Sequence, residues 1–219
     1  MRRELQGSLT IDFNGVVLDL LPERAVFCPE SSTLFVADLH IGKEATFRRA
    51  GMAIPDLLQE DLDRLTSVIS RTEANTLVVL GDFHHSSPGR TREVDQMVTD
   101  WRASHADLNL MLILGNHDRY SGNPLHEWNL SIHDDPTRMG NLALAHVPKF
   151  DSKFPTLAGH LHPKYRLQFG AERLNLPCFL QRQQTLVLPA FSNFVDHGLI
   201  RQQRGDQLYL VADDQVIKL

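Results

Sequence analysis

Four short groups of aspartate, histidine and asparagine residues recur along the chain, and side chains of these types bind divalent metal ions. Each group follows an apolar run typical of a buried strand, so the groups are expected at a sheet edge, where strands meet loops. In chain order they are Asp38-Leu39-His40, Gly81-Asp82, Gly115-Asn116-His117-Asp118 and Gly159-His160-Leu161-His162, with a lone His146 before the last. Together these residues indicate a two-metal site suited to phosphoester hydrolysis.

Two metal ions address the two reasons why phosphodiesters resist hydrolysis. The negative oxygens repel a nucleophile, and the alkoxide is a poor leaving group. Two ions about 3.5–4 Å apart activate water and neutralise the charge that develops as the bonds change. The candidate ligands offer nitrogen and oxygen atoms and no thiolate, which favours Mn, Fe, Zn or Ni.

The four-residue group Gly115-Asn116-His117-Asp118 is the most specific of these signals. A chance match of four residues in a chain of this length is expected about once in a thousand. The alternative is that aspartate and histidine residues at strand ends only cap strands or form turns. The fixed order of the groups, each behind an apolar run, favours the metal site.

On these residues the chain resembles the calcineurin-like metallophosphoesterase superfamily, over roughly Thr33 to Pro163. The resemblance implies an α/β fold, a four-layer αββα sandwich of two mixed β-sheets flanked by helices. It also implies two metal ions, Mn above the other candidates, with Asp82 bridging them. The implied ligands are Asp38, His40, Asp82 and His162 for one ion, and Asp82, Asn116, His146 and His160 for the other.

The stretch from Val36 to Gly51 narrows the resemblance within that superfamily. It is similar to small bacterial phosphoesterases of the PdeM type, which are related to the SbcD repair nucleases. The resemblance implies DNA as the substrate, a role in DNA repair, and helicase and DNA ligase partners. One departure is the run Ser192–His197, where the relatives tend to be glycine-rich, so the shape of that loop stays open.

Three residues near the metal groups are candidates for catalysis without binding metal. His117 follows the ligand Asn116, and we expect it to hydrogen-bond the scissile phosphate and give a proton to the leaving oxygen. Asp118 would orient that imidazole. By its offset from Asp82, His85 matches a phosphate-contacting position in the repair-nuclease relatives, with a supporting role as the alternative.

The composition is that of a globular protein with one domain over residues 1–219, since 42% of the residues are hydrophobic and 22% are charged. No apolar run is long enough to cross a bilayer, and no secretion signal is recognisable, so a cytoplasmic location is expected. Cys28 and Cys178 could form a disulfide, but two reduced, buried thiols fit that location better.

The net charge of −5 does not exclude DNA, because two divalent ions would add positive charge where phosphate binds. Basic residues recur just beyond the metal groups and could grip a phosphodiester backbone. The alternative is that they are ordinary solvated surface charges. These residues are Lys43, Arg48, Arg49, Arg90, Arg92, Arg119, Lys164 and Arg166.

The elements that position these groups follow from local patterns. Asn14-Gly15 predicts a hairpin between strands Leu9–Phe13 and Val16–Leu20, because both turn positions need positive φ. Antiparallel strands are expected mainly in the second half of the chain, and Asp134–Asn141 is interpreted as a surface loop. The further predicted helices are Glu44–Ala50, one from about Pro55 to Ile69 and one from about Thr91 to His105. The further predicted strands are Ala25–Cys28, Thr33–Ala37, Thr76–Leu80, Asn109–Leu114, Leu142–Ala145, Pro155–Ala158, Lys164–Phe169, Cys178–Gln181, Thr185–Leu188, Gln207–Val211 and Val216–Leu219.

Three functions remain open from the sequence. The first is a Mn-dependent DNA endonuclease or phosphodiesterase, and the second is a hydrolase of a small nucleotide or phosphorylated metabolite. The third is a non-catalytic scaffold, which the complete ligand set argues against. The short segments between the groups leave no room for a cap domain over a small substrate, which favours a polymer.

Overall fold

The protein is described by a computed structural model over residues 5–55, 57–170, 172–195 and 198–219. Its helices are α1 (Lys43–Arg49), α2 (Leu58–Thr72) and α3 (Arg92–Ser104). The strands of the first sheet are β1 (Leu9–Phe13), β2 (Val16–Leu21), β3 (Ala25–Cys28), β4 (Thr33–Val36), β5 (Thr76–Leu80), β6 (Asn109–Ile113) and β7 (Leu130–His133). Those of the second are β8 (Thr137–Met139), β9 (Leu142–Ala145), β10 (Thr156–Ala158), β11 (Lys164–Phe169), β12 (Glu172–Arg182), β13 (Thr185–Val187), β14 (Gln207–Ala212) and β15 (Gln215–Lys218).

The first sheet runs in chain order from β1 to β7. Its first four strands are antiparallel neighbours, and β4 to β7 are parallel. Val36 pairs with Val79 and Leu80 with Ile113, so β4, β5 and β6 end close to one level. The loops after these three strands therefore leave the sheet side by side, and these are the loops that carry the first three metal groups.

The second sheet has the order β15-β14-β12-β13-β10-β9-β8, and β11 pairs with the first half of the long strand β12. Its central strands β9, β10 and β13 are parallel, and the other pairs are antiparallel. The parallel pairing of β9 with β10 brings the residues after both strands to one edge. His146 follows β9, and His160 and His162 follow β10.

The two sheets pack face to face over a shared apolar core. Phe35 and Val78 of the first sheet and Leu144 and Phe179 of the second belong to the same buried cluster. The outer face of the first sheet is covered by α2 and α3, whose buried leucine and valine side chains form a second cluster with it. Each of these helices buries one apolar stripe, as their spacing predicts.

The outer face of the second sheet carries a smaller cluster, centred on Cys178 and Leu208. Tyr165 and Leu167 of β11, together with Phe150 and Ile200, pack against this cluster. Within the described ranges, strand and loop residues rather than helices therefore make the fourth layer. Among the described residues no helix is long and apolar enough to cross a membrane.

Most of the predicted elements are confirmed. Asn14 and Gly15 both have positive φ in the β1–β2 hairpin, and the Thr91 hydroxyl caps α3 by accepting from the Val94 N–H. The surface loop expected at Asp134–Asn141 is wrong in part, because β8 lies within it and pairs with β9. Strand β7 was not predicted, and the parallel strands of the second sheet depart from the expected antiparallel order.

Candidate metal centre

Two clusters that contain aspartate and histidine could each hold a metal ion, and the first contains Asp38, His40 and His162, whose potential ligand atoms all lie within 4.8 Å of one another. His162 Nε2 is 3.3 Å from Asp38 Oδ1 and 3.3 Å from His40 Nε2. Asp38 and His40 come from the loop after β4, and His162 comes from the loop after β10. The cluster therefore joins the two sheets.

The second cluster contains Asp82, His146 and His160 under the same distance limit. His146 Nε2 lies 3.4 Å from Asp82 Oδ2, 3.1 Å from His160 Nδ1 and 2.9 Å from Asn116 Oδ1. The two clusters follow the division of ligands that the resemblance implies. A bridging role for Asp82 stays a prediction.

Five of the seven predicted ligands have a left-handed backbone conformation, which side chains other than glycine rarely adopt. Such conformations are strained and persist where surrounding contacts enforce them, commonly at functional sites. Here the loops are cross-linked by backbone hydrogen bonds, since the Asp38 N–H donates to the Gly81 carbonyl at 3.1 Å and the His40 N–H to the Asp82 carbonyl at 2.9 Å. The φ angles are 57° for Asp38, 48° for His40, 52° for Asp82, 72° for His160 and 47° for His162.

Two motif glycines are explained by the closeness of their backbone to ligand side chains. A Cβ on Gly81 would lie 2.1 Å from His146 Nδ1, and Gly81 also has a φ of 83°. A Cβ on Gly115 would lie 2.2 Å from Asp82 Oδ1. Gly115 does not have a positive φ, so its lack of a side chain serves close packing against Asp82.

The charges of the site are buried. Asp38 is 0% and Asp82 is 2% exposed. Burial opposes ionisation of Asp82, but the hydrogen bond and charge of His146, the His117 N–H and the charge of His40 together lower the pKa of that carboxyl. Burial also lowers the pKa of His146, yet the hydrogen bond to Asp82 and the charge of Asp38 raise it to about 9. Burial lowers the pKa of His40 to about 2, so this imidazole is neutral, as a metal ligand must be.

The donor set fits divalent metal ions. The buried atoms Asp38 Oδ1 and His40 Nδ1 have no hydrogen-bond partner, although buried polar atoms are normally hydrogen-bonded. Two buried carboxylates surrounded by imidazoles need cationic charge nearby. The thiols offer no alternative, because Cys28 and Cys178 are free, buried, and part of the hydrophobic clusters. The prediction of two reduced, buried thiols is thus confirmed.

His117 lies at the edge of these clusters, with Nε2 4.0 Å from Asp82 Oδ2 and its side chain 36% exposed. Its Nδ1 is 2.6 Å from the His85 carbonyl, and because a carbonyl only accepts, Nδ1 carries a proton. The imidazole is therefore fixed from one side, and Nε2 is the nitrogen that can exchange a proton at the site.

The expected contact between Asp118 and the His117 imidazole is wrong. The Asp118 carboxylate accepts the Gly115 N–H at 2.9 Å and the His84 N–H at 3.1 Å. Asp118 therefore fixes the backbone of two loops around the metal clusters. The carbonyl of His85 takes the orienting role that the sequence suggested for Asp118.

His85 stands in a cluster of three imidazoles with His40 and His117. Its ring is stacked on that of His117 at 5.0 Å and meets that of His40 edge-on at 5.5 Å. This placement is compatible with either role considered for His85. The neighbouring His84 is buried and stacked on Trp128 at 5.5 Å, which makes it a packing residue.

The basic residues are placed less uniformly than expected. Arg90 forms an ion pair with Asp95 at 3.3 Å and donates a hydrogen bond to the Asn123 carbonyl. Its guanidinium also lies over the Trp128 ring. Arg49 and Lys164 likewise donate to backbone carbonyls. Lys43 lies beside the site, with Nζ 5.0 Å from the Phe194 ring centre.

The loop after β13 was not predicted to belong to the site. The sequence signal for it was the run Ser192–His197, which stands where the relatives tend to be glycine-rich. The Phe191 N–H donates to the Ala37 carbonyl at 2.8 Å, and the Ser192 N–H to the Asp38 carbonyl at 3.4 Å. Phe194 then reaches the Phe47 ring of α1 at 5.3 Å. His197 of this loop lies outside the described residues.

A family model described as calcineurin-like phosphoesterase matches residues 31–206. The solved structure of the Pseudomonas putida nuclease MPE is 35% identical, with a TM-score of 0.85 over 97% of this chain and 100% of that chain. The E. coli phosphoesterase Yfce is 14% identical, with a TM-score of 0.43 over 85% of this chain and 97% of that chain. No curated protein sequence matches this chain. The chain therefore belongs to the calcineurin-like phosphoesterase family, with that family's α/β fold of two mixed sheets, and it is a metal-dependent phosphoesterase.

Proposed function

We propose that this enzyme is a DNA endonuclease that uses two divalent metal ions, preferably Mn²⁺, and acts in DNA repair. The observation that carries the proposal is the pair of adjacent aspartate–histidine clusters with His117 at their edge. The likeness to the Pseudomonas putida nuclease supports a nucleic acid substrate. The resemblance of the Val36–Gly51 stretch supports the repair role and helicase and DNA ligase partners.

One ion would be held by Asp38, His40 and His162, and the other by His146, His160 and Asn116, with Asp82 shared between them. Bound there, the ions would supply Lewis-acid chemistry, lowering the pKa of water and withdrawing charge from the phosphate. The all-nitrogen and oxygen donor set supports Mn²⁺ together with Fe, Zn and Ni, and the family resemblance favours Mn²⁺.

His117 would act on the leaving group. As the phosphorus–oxygen bond breaks, the leaving oxygen takes the proton from Nε2, while Nδ1 keeps its hydrogen bond to the His85 carbonyl. Asp118 maintains the geometry through the two N–H groups it accepts, because these hold the Gly115 and His84 backbones. Without that anchor, the loop that carries Asn116 and His117 would be less well placed.

An open site supports a polymeric substrate over a small nucleotide. In the described chain the segments between the predicted ligands form α1, α2, α3, strands β5 to β10 and their connections, and α2 and α3 pack on the first sheet. They are thus used for the fold and not for a cap. The partial exposure of the His117 side chain agrees with a site that a strand can approach.

The proposal is tested by assaying the purified enzyme on single-stranded DNA, duplex DNA, a mononucleotide cyclic phosphodiester and an aryl phosphodiester. After chelation no substrate should be cleaved, and Mn²⁺ should restore DNA cleavage more fully than Mg²⁺, Zn²⁺, Fe²⁺ or Ni²⁺. Activity that survives thorough chelation would exclude the metal mechanism. Hydrolysis of the small esters with no strand cleavage would assign the enzyme to small nucleotides instead.

A further inference from the structure

Two phenylalanine rings beside the site are not used by the hydrophobic core. Phe47 of α1 and Phe194 of the loop after β13 are both half-buried. Neither belongs to the three apolar clusters that stabilise the fold or to the residues packed against them. Large aromatic side chains normally contribute most by full burial. Two that stay partly exposed beside a candidate active site suggest a role in binding.

A series of ring contacts connects these two phenylalanines to His117, the candidate catalytic residue. The His117 ring stacks on His85 at 5.0 Å, His85 lies 6.3 Å from Phe47, and Phe47 meets Phe194 edge-to-face at 5.3 Å. These contacts connect Phe47 and Phe194 to His117 through His85, so a base that flanks a phosphate at His117 would lie on the side of the site where these two rings stand.

Phe194 is held in place by its loop. The Phe191 N–H donates to the Ala37 carbonyl, and Arg64 donates to the Phe191 carbonyl. The Phe194 N–H donates to Ser192 Oγ at 3.1 Å, which holds the backbone of Phe194 in place. A ring fixed in this way loses little conformational entropy when a ligand packs against it.

A positive charge accompanies the rings. Lys43 Nζ lies 5.0 Å from the Phe194 ring centre, and Lys43 begins the same helix that carries Phe47. Aromatic faces with an adjoining cation are the combination by which proteins bind single-stranded nucleic acids, because the ring stacks on a base and the cation attracts the backbone. A plain phosphate ester would use the cation but would have no use for the rings.

We propose that Phe47 and Phe194 form a stacking subsite for an unpaired nucleobase next to the scissile phosphate, with Lys43 attracting the adjoining backbone. This inference rests on the proposed function and adds to it the residues that would hold a base of the substrate. In a duplex, both faces of a base are already covered by its neighbours, and unstacking a base costs free energy. Single strands offer their bases freely.

The test compares a thymidine decamer with an abasic decamer that has the same backbone charge. Binding is measured by fluorescence anisotropy with Mn²⁺-loaded protein in a His117→Ala background, so that the strand stays intact. The parent should bind the thymidine strand at least tenfold more tightly than the abasic strand, within the roughly 5- to 150-fold that stacking of one base contributes. Phe47→Leu and Phe194→Leu should bring the two affinities together.

Phe154→Leu is the matched control, because Phe154 is also partly exposed and has a cation, Arg138, 4.0 Å from its ring centre. It lies on the connection between β9 and β10, and its substitution should leave the preference for the thymidine strand intact. The thermal unfolding midpoint of each variant shows whether it folds. The comparison of the thymidine and abasic decamers on the parent protein tests the proposal even if a ring variant fails to fold.

Equal affinity of the parent for both strands would overturn the stacking subsite, and so would a preference that persists in both ring variants. The wild-type enzyme separates these outcomes from the proposed function. If it cleaves DNA but the strands bind equally, the endonuclease stands and the subsite fails. If it hydrolyses small phosphodiesters and cleaves no DNA, the proposed function itself fails.

Discussion

The loops after the first sheet and the loops after the second bring different side chains to the metal centre. The first sheet supplies both carboxylates, Asp38 and Asp82, the amide of Asn116 and one imidazole, His40, whereas the predicted ligands from the second sheet are all imidazoles. The first set is cross-linked within itself, since the Asp38 N–H donates to the Gly81 carbonyl. The second is tied to the first by the His160 N–H, which donates to Asp38 Oδ2 at 2.8 Å.

This difference separates two contributions to metal binding. Buried carboxylates provide the negative charge that draws cations into the site, and they are already ordered by the parallel strands β4, β5 and β6. Imidazoles, which bind metal in their neutral form, add directional ligands without adding charge. Substitutions of the two carboxylates should therefore abolish function outright. Those of the second-sheet imidazoles should weaken metal affinity, which excess metal can restore.

The largest effect is expected from Asp82→Asn. The substitution keeps the size of the side chain but removes the one carboxylate assigned to both ions. Each ion contributes several kcal/mol to the reaction, so cleavage of an aryl phosphodiester should fall by more than about 10⁴-fold and should not recover in excess Mn²⁺. Asp19→Asn is the control, a buried carboxylate on β2 of the same sheet that accepts from Thr10. A substantially active Asp82→Asn would refute the assignment.

A large but selective effect is expected from His117→Ala, because His117 lies at the edge of both clusters and is proposed to donate a proton rather than to bind metal. The rate on DNA should fall by about 10²–10⁴-fold, because an alkoxide leaving group needs the proton. A nitrophenyl phosphodiester, whose leaving group departs unaided, should lose less. Rates of both substrates at saturating Mn²⁺ decide the point, and an equal loss on both would mean that His117 binds phosphate only.

His162→Ala should show the milder behaviour of the second sheet. Loss of a residue that only supports a ligand typically weakens metal binding about 10–100-fold, and loss of a ligand should cost at least as much. Activity should therefore fall at low Mn²⁺ and recover in part as Mn²⁺ is raised, in contrast to Asp82→Asn. Titration of activity against Mn²⁺ measures this. Full activity at the lowest Mn²⁺ would remove His162 from the ligand set.

The smallest effect is expected from Lys43→Gln, which leaves both metal-binding halves unchanged. If Lys43 attracts one phosphate of a single strand, the slope of log affinity against log salt should decrease by about 0.7. Lys153→Gln, an exposed lysine between β9 and β10, should leave the slope unchanged. Anisotropy titrations across a salt series provide both slopes, and identical slopes for all three proteins would argue against a phosphate contact.

The sequence could predict the metal groups because each stands at the end of an apolar strand, and parallel strands bring their ends together. It could not predict how Asp118 is oriented. Adjacency to His117 suggested a contact between the two side chains, but the carboxylate faces two backbone N–H groups. A local pattern gives the position of a side chain along the chain and does not give its direction.

Contacts between segments that are distant along the chain could not be predicted from the sequence either. Phe194 and Phe47 meet only because the loop after β13 is bonded to Ala37, and nothing near either residue in the sequence indicates this. Strands β7 and β8 were missed for a related reason. Both are short and partly exposed, so their apolar pattern is weak, and their partners β6 and β9 define them.

The central claim, that two metal ions share Asp82, is tested most directly by counting the metal. Wild-type enzyme, Asp82→Asn and Asp19→Asn would each be saturated with Mn²⁺, freed of excess by gel filtration and measured by elemental analysis. The account predicts close to two ions per chain for the wild type and for Asp19→Asn, and fewer than one for Asp82→Asn. A wild-type enzyme that holds at most one ion, or an Asp82→Asn variant that retains two, would contradict it.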